Sequence, residues 1–112
     1  MEPRLLTRVW VQAQIRLCDR HFIQMMVVRR GDPDAGAVIV RLLGEAGSNL
    51  LLRRRTSLEG VAEWAAVPGE GEVDNQAAED YLAREIERDR DLWILEVDDP
   101  KGRYRPDTPI EI

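Results

Sequence analysis

Apolar residues in the first twenty positions recur at the spacing of an amphipathic helix. The pattern predicts a helix over residues 4–20 whose main apolar stripe faces the core, namely Leu5, Leu6, Val9, Trp10, Ala13 and Leu17. A second apolar set, Val11, Ile15 and Cys18, lies on the opposite side. Because one sheet covers only one side of a helix, we expect this second stripe to mediate self-association, as a homodimer about a twofold axis. Packing against the chain's own elements is the alternative.

After residue 21 the pattern changes to short runs rich in Val, Ile, Leu and Met, separated by turn residues. The runs at 23–30, 37–43, 50–56 and 61–67 predict strands. Residues 31–36 read Gly-Asp-Pro-Asp-Ala-Gly, in which aspartate and proline suit a type I turn and the last glycine suits a positive φ. This segment therefore predicts a hairpin between the first two strands, within an antiparallel meander of about four strands.

The remaining pattern predicts a second helix and one more strand. Asp74 is a suitable N-cap for a helix that ends near residue 88. The run at 92–97 is apolar on both faces, which is typical of an interior strand. Residues 100–112 are polar and carry three prolines, so we expect a loosely ordered tail. The predicted fold class is α+β: an N-terminal helix, the meander, a second helix and a final strand.

Length and composition limit the class of protein. A chain of 112 residues has room for one domain, here taken as 1–112. No apolar run approaches the roughly 18 residues that span a membrane. The single cysteine excludes an internal disulfide and is typical of a reducing cytoplasm. We therefore expect a cytoplasmic protein that is not embedded in a membrane.

The formal net charge of −5 is divided unevenly along the chain. Residues 1–56 hold ten arginines against five acidic residues, and residues 57–112 hold six bases against sixteen acids. We expect the two halves to neutralise each other within one molecule; pairing between molecules is the alternative. Arg53, Arg54 and Arg55 form a basic run, yet residues 23–63 contain no aromatic side chain for stacking on bases. Nucleic-acid binding is therefore not predicted.

Carboxylates supply the main candidate for chemistry. Asp32 and Asp34 lie two residues apart in the turn at 31–36, a spacing that suits a divalent cation. Asp98 and Asp99 would join this metal site if the last strand ended nearby. The same Asp-Pro-Asp sequence also makes a stable turn for structural reasons alone, and we favour that interpretation. No cofactor is predicted.

Cys18 and His21 raise the hypothesis of a nucleophile and its base. Cys18, however, lies on an apolar stripe, where thiols are usually unreactive. His21 stands at the predicted helix end, where a cation is favourable to the helix dipole. We therefore predict no catalytic residue.

Three segments resemble a known family: Trp10-Val11-Gln12-Ala13-Gln14, the run from Arg30 to Gly36, and Asp91-Leu92-Trp93 with the acidic residues that follow it. Together they resemble the short bacterial proteins called domain of unknown function 1491, over residues 1–105. The resemblance implies a free-standing bacterial protein, again cytoplasmic, and it implies no catalytic role for any residue.

The sequence therefore favours a non-catalytic protein-interaction or self-associating domain whose partner is a protein, including a second copy of itself. The alternative is a small metal- or ligand-binding domain, or an enzyme, that uses the carboxylates around Asp32 and Asp34.

Overall fold

The computed structural model describes residues 5–110, which form two helices and one five-stranded mixed sheet. In chain order the elements are α1 (Thr7–Arg20), β1 (Gln24–Arg29), β2 (Val38–Leu43), β3 (Asn49–Thr56), β4 (Ala62–Val67), α2 (Asn75–Arg88) and β5 (Trp93–Asp98). A single 3₁₀ turn, Glu45–Gly47, precedes β3. The predicted α+β class and the order of its elements are confirmed.

The strands lie in the order β1-β5-β2-β3-β4. β2, β3 and β4 form three strands of the predicted four-stranded antiparallel meander, whereas β5 lies between β1 and β2, antiparallel to the first and parallel to the second. The predicted hairpin at 31–36 is therefore wrong, because this segment passes over the start of β5. β5 takes the interior position because its side chains are apolar on both faces and both faces are covered.

The buried face of α1 is centred on the side opposite to the predicted one, although Trp10 and Leu17 of the predicted stripe also pack against the core. Val11 and Cys18 are buried in the core beneath the helix, and Ile15 packs beside them. Leu5, Leu6 and Ala13, assigned to the core by the sequence pattern, are exposed. The predicted self-association stripe thus faces the chain's own sheet, and Val11 and Cys18 are not available to another chain.

The polar residue Gln14 explains the error. Gln14 is buried between Val11 and Cys18, so the buried face of α1 includes a side chain that a hydrophobicity pattern counts as polar. The hydroxyl of Tyr104, itself fully buried, donates to Gln14 Oε1 at 2.6 Å. Because the amide oxygen has this partner, Gln14 is buried without the free-energy cost of an unpaired polar group.

Tyr104 belongs to the segment that was expected to be a loose tail. Residues 99–110 instead pack against the α1 side of the sheet and bury Pro106 and Ile110 as well. Asp107 accepts hydrogen bonds of 2.8 Å from the indoles of Trp10 and Trp64, whose rings stack at 5.4 Å. The loose-tail prediction is therefore wrong up to residue 110; residues 111 and 112 lie outside the described range.

α2 covers the other face of the sheet, but only part of it. Asp74 caps the helix as predicted, since its Oδ1 accepts from the Ala77 N–H at 2.8 Å. The second core cluster joins this helix to the middle of the sheet and comprises Ile39, Leu51, Ala78, Leu82, Leu92 and Ile94. β1 lies outside the area that α2 covers, and Met26 on it is exposed. Within residues 5–110, neither helix is long and apolar enough to cross a bilayer.

Candidate functional site

The edge strand β1 carries an exposed group of apolar side chains. Met26, Val27 and Val28 are 50%, 40% and 52% exposed, and Phe22, two residues before the strand, is 97% exposed. We call these four residues the β1 surface. The strand is irregular near Val28, where the pairing with β5 shifts between Val27 and Arg29. Three consecutive exposed apolar residues on a sheet edge are uncommon, because such an edge is open to pairing with another chain.

Phe22 has an unusual backbone conformation. It follows α1 with φ at 59°, in the left-handed region that glycine normally occupies at this position of a helix end. The Phe22 N–H donates to the Asp19 carbonyl and the Ile23 N–H to the Cys18 carbonyl, which is the Schellman arrangement. A bulky side chain is therefore held in a strained conformation and projects into solvent.

Beside the β1 surface, the sheet face left open by α2 forms a shallow cavity. Its volume is about 260 Å³, and it is lined by Gln24, Met26, Leu43, Glu96 and Asp98. Glu96 and Asp98 lie on β5 opposite Met26 and Gln24, so their side chains share this face with Met26. The β1 surface is thus apolar with an acidic margin at one end.

The segment at 31–36 contacts two elements, α1 and β5. Asp32 Oδ2 accepts from the backbone N–H groups of Asp34 and Ala35, at 3.3 and 2.8 Å. The carbonyls of Pro33 and Asp34 accept from the first N–H groups of α1, which has no side-chain N-cap. The Trp93 indole, at the start of β5, donates to the Asp32 carbonyl at 2.7 Å. These contacts support the structural interpretation of this segment.

Glycine is required at position 36 because there is no room for a Cβ atom, and not because φ is positive. This corrects the turn prediction. A Cβ at this position would lie 2.5 Å from the Asp91 carbonyl oxygen and 2.8 Å from that of Asp32. A Cβ at position 31 would lie even closer to the same Asp91 carbonyl oxygen. Both glycines therefore let the segment 31–36 pass directly over the start of β5.

The four carboxylates of the metal hypothesis do not converge. Asp32 and Asp34 lie beside the start of β5, whereas Asp98 and Asp99 lie at its end, about 15–20 Å of strand away. The side chain of Asp99 is buried and accepts from the N–H groups of Arg103 and Tyr104. Residues 5–110 contain no group of three or more His, Cys, Asp and Glu side chains arranged to hold a metal ion. The shared site imagined from the sequence is therefore not formed.

The thiol of Cys18 is unsuited to nucleophilic chemistry. Burial raises its pKa to about 11, and the nearby charges of Asp99 and Asp19 add to the shift. The thiolate is the reactive form, so at neutral pH the side chain stays protonated and inert. His21 is the C-cap of α1, and its carbonyl accepts from the Arg103 guanidinium.

A buried polar network centred on Arg41 was not foreseen from the sequence. The Arg41 Nε donates to Asn49 Oδ1, and its Nη1 pairs with Glu79 Oε1, both at 2.7 Å. The Asn49 amide in turn donates to Asn75 Oδ1 and to backbone carbonyls. These hydrogen bonds fix α2 against β2 and β3.

The family model described as "Protein of unknown function (DUF1491)" matches residues 5–105 of the sequence. The chain belongs to the DUF1491 family. A crystal structure of a DUF1491 family protein from Caulobacter crescentus CB15 is 29% identical, with a TM-score of 0.82 over 96% of this chain and 100% of that one. An NMR structure of a DUF1491 family protein from the same organism is 28% identical, with a TM-score of 0.80 over 99% and 100%.

A solution structure of protein Atu0922 from A. tumefaciens shares the fold at 23% identity, with a TM-score of 0.69 over 85% of this chain and 86% of that one. No curated protein matches this DUF1491 chain. The segment Arg30 to Gly36, which suggested the family from the sequence, includes the residues that contact α1 and the start of β5.

Sequence reasoning missed the β1 surface of this DUF1491 protein. A run of four apolar residues, Met25 to Val28, also fits a strand buried on both faces, and the sequence alone does not separate the two cases. The exposure follows from the position of β5, which makes β1 an edge.

Proposed function

We propose that this DUF1491 protein is a self-associating protein-interaction domain that acts by binding and not by catalysis. The single observation that carries the proposal is the β1 surface, which places Met26, Val27 and Val28 in solvent on an edge strand, next to the exposed Phe22. Natural proteins protect edge strands with lysine, proline or very short length. β1 has six residues and neither lysine nor proline, and its irregularity near Val28 leaves Met26 and Val27 exposed.

The other edge of the sheet is better protected. β4 carries Glu63, which pairs with Arg55 at 3.1 Å, and three of its residues are alanines. Trp64 of β4 stacks on Trp10 of α1 and donates to Asp107 of the tail, so α1 and the tail cover the inner side of this strand. The contrast between the two edges supports β1 as the contact surface.

A second copy of the chain is the partner we propose. Two copies present identical edges, and a twofold axis makes such edges self-complementary. The buried thiol of Cys18 supports a cytoplasmic setting for this assembly. The carboxylate alternative, a metal-dependent activity around Asp32 and Asp34, has no geometric support in the described residues.

Sedimentation equilibrium tests the proposal. At tens of micromolar the native chain should show a mass near twice 12.8 kDa, and dilution should return the monomer. Met26→Lys places a charge on the edge strand and should yield a monomer that melts like the native chain at concentrations where the native chain is monomeric. Val61→Lys is the matched control, since Val61 is 61% exposed beside β4, and it should leave the mass unchanged. A native chain that stays monomeric up to about 100 μM, corresponding to weak binding, overturns the proposal.

A further inference from the structure

We infer that two copies of this chain join along β1 in antiparallel orientation, about a twofold axis normal to the sheet, and form one continuous ten-stranded sheet. The inference rests on the proposed self-association and adds the geometry of the contact. Three observations support it: the open edge of β1, the distribution of charge along that edge, and the conformation of Phe22.

The backbone of β1 offers hydrogen-bonding groups to a further strand. β1 pairs with β5 on one side only, so the N–H and C=O groups on its other side point away from the sheet. A second β1 satisfies these groups when it approaches antiparallel, and Met26 then lies near the centre of the pair. Pairing of this kind is a recognised way in which an edge strand binds an extended segment.

The charges at the two ends of β1 are of opposite sign. Arg29 lies at one end, with Arg30 following it, whereas Asp98 flanks the other end on β5 and Glu96 lies opposite Met26. Arg29 pairs with Ile94, so its side chain lies on the same sheet face as those of Glu96 and Asp98. Within residues 5–110, neither Glu96 nor Asp98 forms an ion pair.

Antiparallel pairing brings these opposite charges together. Arg29 of each copy then lies near Gln24 of the other, next to Asp98, on a shared face of the combined sheet. In parallel alignment Arg29 of one copy would instead face Arg29 of the other copy. Like charges directly opposite one another are destabilising. The charge distribution therefore favours the antiparallel pair over the parallel one.

Phe22 adds an apolar contact at the end of the pair. A phenylalanine that is both strained and 97% exposed is unfavourable to the isolated chain. In the antiparallel pair it lies beside Arg29 and Arg30 of the other copy, where its ring is covered. Covering the Phe22 ring in the dimer thus offsets part of the free-energy cost of this strained and exposed residue.

A charge exchange tests the orientation. Arg29→Glu and Asp98→Arg should each raise the dimer dissociation constant at least tenfold, because each places like charges together at both ends. The double variant should return to within about threefold of the native constant, because the pairs are attractive again with their signs reversed. Glu87→Arg, on the exposed side of α2, is the control and should change nothing. A double variant no tighter than the single variants overturns the antiparallel geometry.

Phe22→Gly supplies a test that does not depend on Arg29, whose guanidinium also donates to the Arg90 carbonyl and whose replacement carries a risk to folding. Under conditions where the chain is monomeric, Phe22→Gly should raise the melting temperature, since glycine relieves the positive φ. At higher concentration the same variant should weaken the dimer at least tenfold. His21→Gly, at φ −107°, is the control and should lower the melting temperature.

The outcomes separate the two proposals. A native chain that forms a dimer whose dissociation constant is unaffected by Phe22→Gly and by both charge reversals overturns the β1 geometry and leaves self-association intact. A native chain that never dimerises overturns self-association itself, and the β1 geometry with it.

Discussion

At the scale of single residues, Gly36 shows how one atom decides the shape of the segment 31–36. Its neighbours at the would-be Cβ position are backbone carbonyl oxygens of Asp32 and Asp91 and the Trp93 ring. Both carbonyls are held in place by hydrogen bonds, since Asp91 accepts from the Asp32 N–H and Asp32 accepts from the Trp93 indole. The requirement for glycine is therefore steric, and even a small turn residue such as serine would not meet it.

We expect Gly36→Ala to lower the free energy of unfolding by about 2–4 kcal/mol, because the added methyl group overlaps fixed backbone atoms. Gly71→Ala is the matched control: no atom lies within 4 Å of its Cβ position, so the change should stay within about 0.5 kcal/mol. Urea denaturation of the two variants measures both values. Equal stability for the two would contradict the close contact.

At the scale of elements, the tail and α1 depend on each other. Val11, Gln14 and Cys18 form the buried face of α1, and Tyr104 completes it from the far end of the chain. Burial raises the pKa of the Tyr104 hydroxyl well above its usual range, so the group remains a hydrogen-bond donor at every physiological pH. The segment 99–110 is thus part of the core and not an appendage to it.

We expect Tyr104→Phe to cost about 1–3 kcal/mol of unfolding free energy, because it leaves the buried Gln14 amide without its partner. The exposed residue Lys101 of the same segment provides the comparison, and Lys101→Ala should be nearly neutral. The midpoints of denaturant unfolding, measured with an unchanged m-value, give the change in unfolding free energy for both variants. A neutral Tyr104→Phe would mean that water replaces the phenol at Gln14.

At the scale of the whole molecule, the basic and acidic halves of the chain meet across the fold. Arg41 pairs with Glu79 at 2.7 Å, and Arg53 pairs with Glu85 at 3.3 Å, each joining a strand of the first half to α2. Arg55 and Glu63 make a third pair between the halves. The arginines that suggested a basic surface are in part neutralised within the molecule.

This neutralisation predicts weak binding to polyanions. We expect the protein to elute from heparin below about 0.2 M salt, since contacts that persist at that screening need several free cations on one face. A variant carrying Glu79→Gln and Glu85→Gln loses two negative charges and the ion pair of Arg53, so it should elute later. Retention of the native chain well above that salt concentration would show a functional basic surface instead.

Local sequence determined much of this protein by itself. The presence of two helices, the Asp74 cap and the antiparallel pairing of β2, β3 and β4 depend mostly on neighbours close in the chain, and each is confirmed. The segment Arg30 to Gly36 was also sufficient to suggest the family. These features are readable because their physical causes are close together in the chain.

Only the tertiary structure decided which side of α1 is buried, where β5 lies and what the tail does. Gln14 faces the core because Tyr104, ninety positions away, supplies its hydrogen bond. The hairpin prediction placed β1 beside β2. β5, from the far end of the chain, lies there instead, and this leaves β1 as an open edge. The candidate contact surface follows from that insertion. No pattern within residues 22–29 reveals it, because exposure at a sheet edge is set by the strands that lie alongside and not by the strand's own sequence.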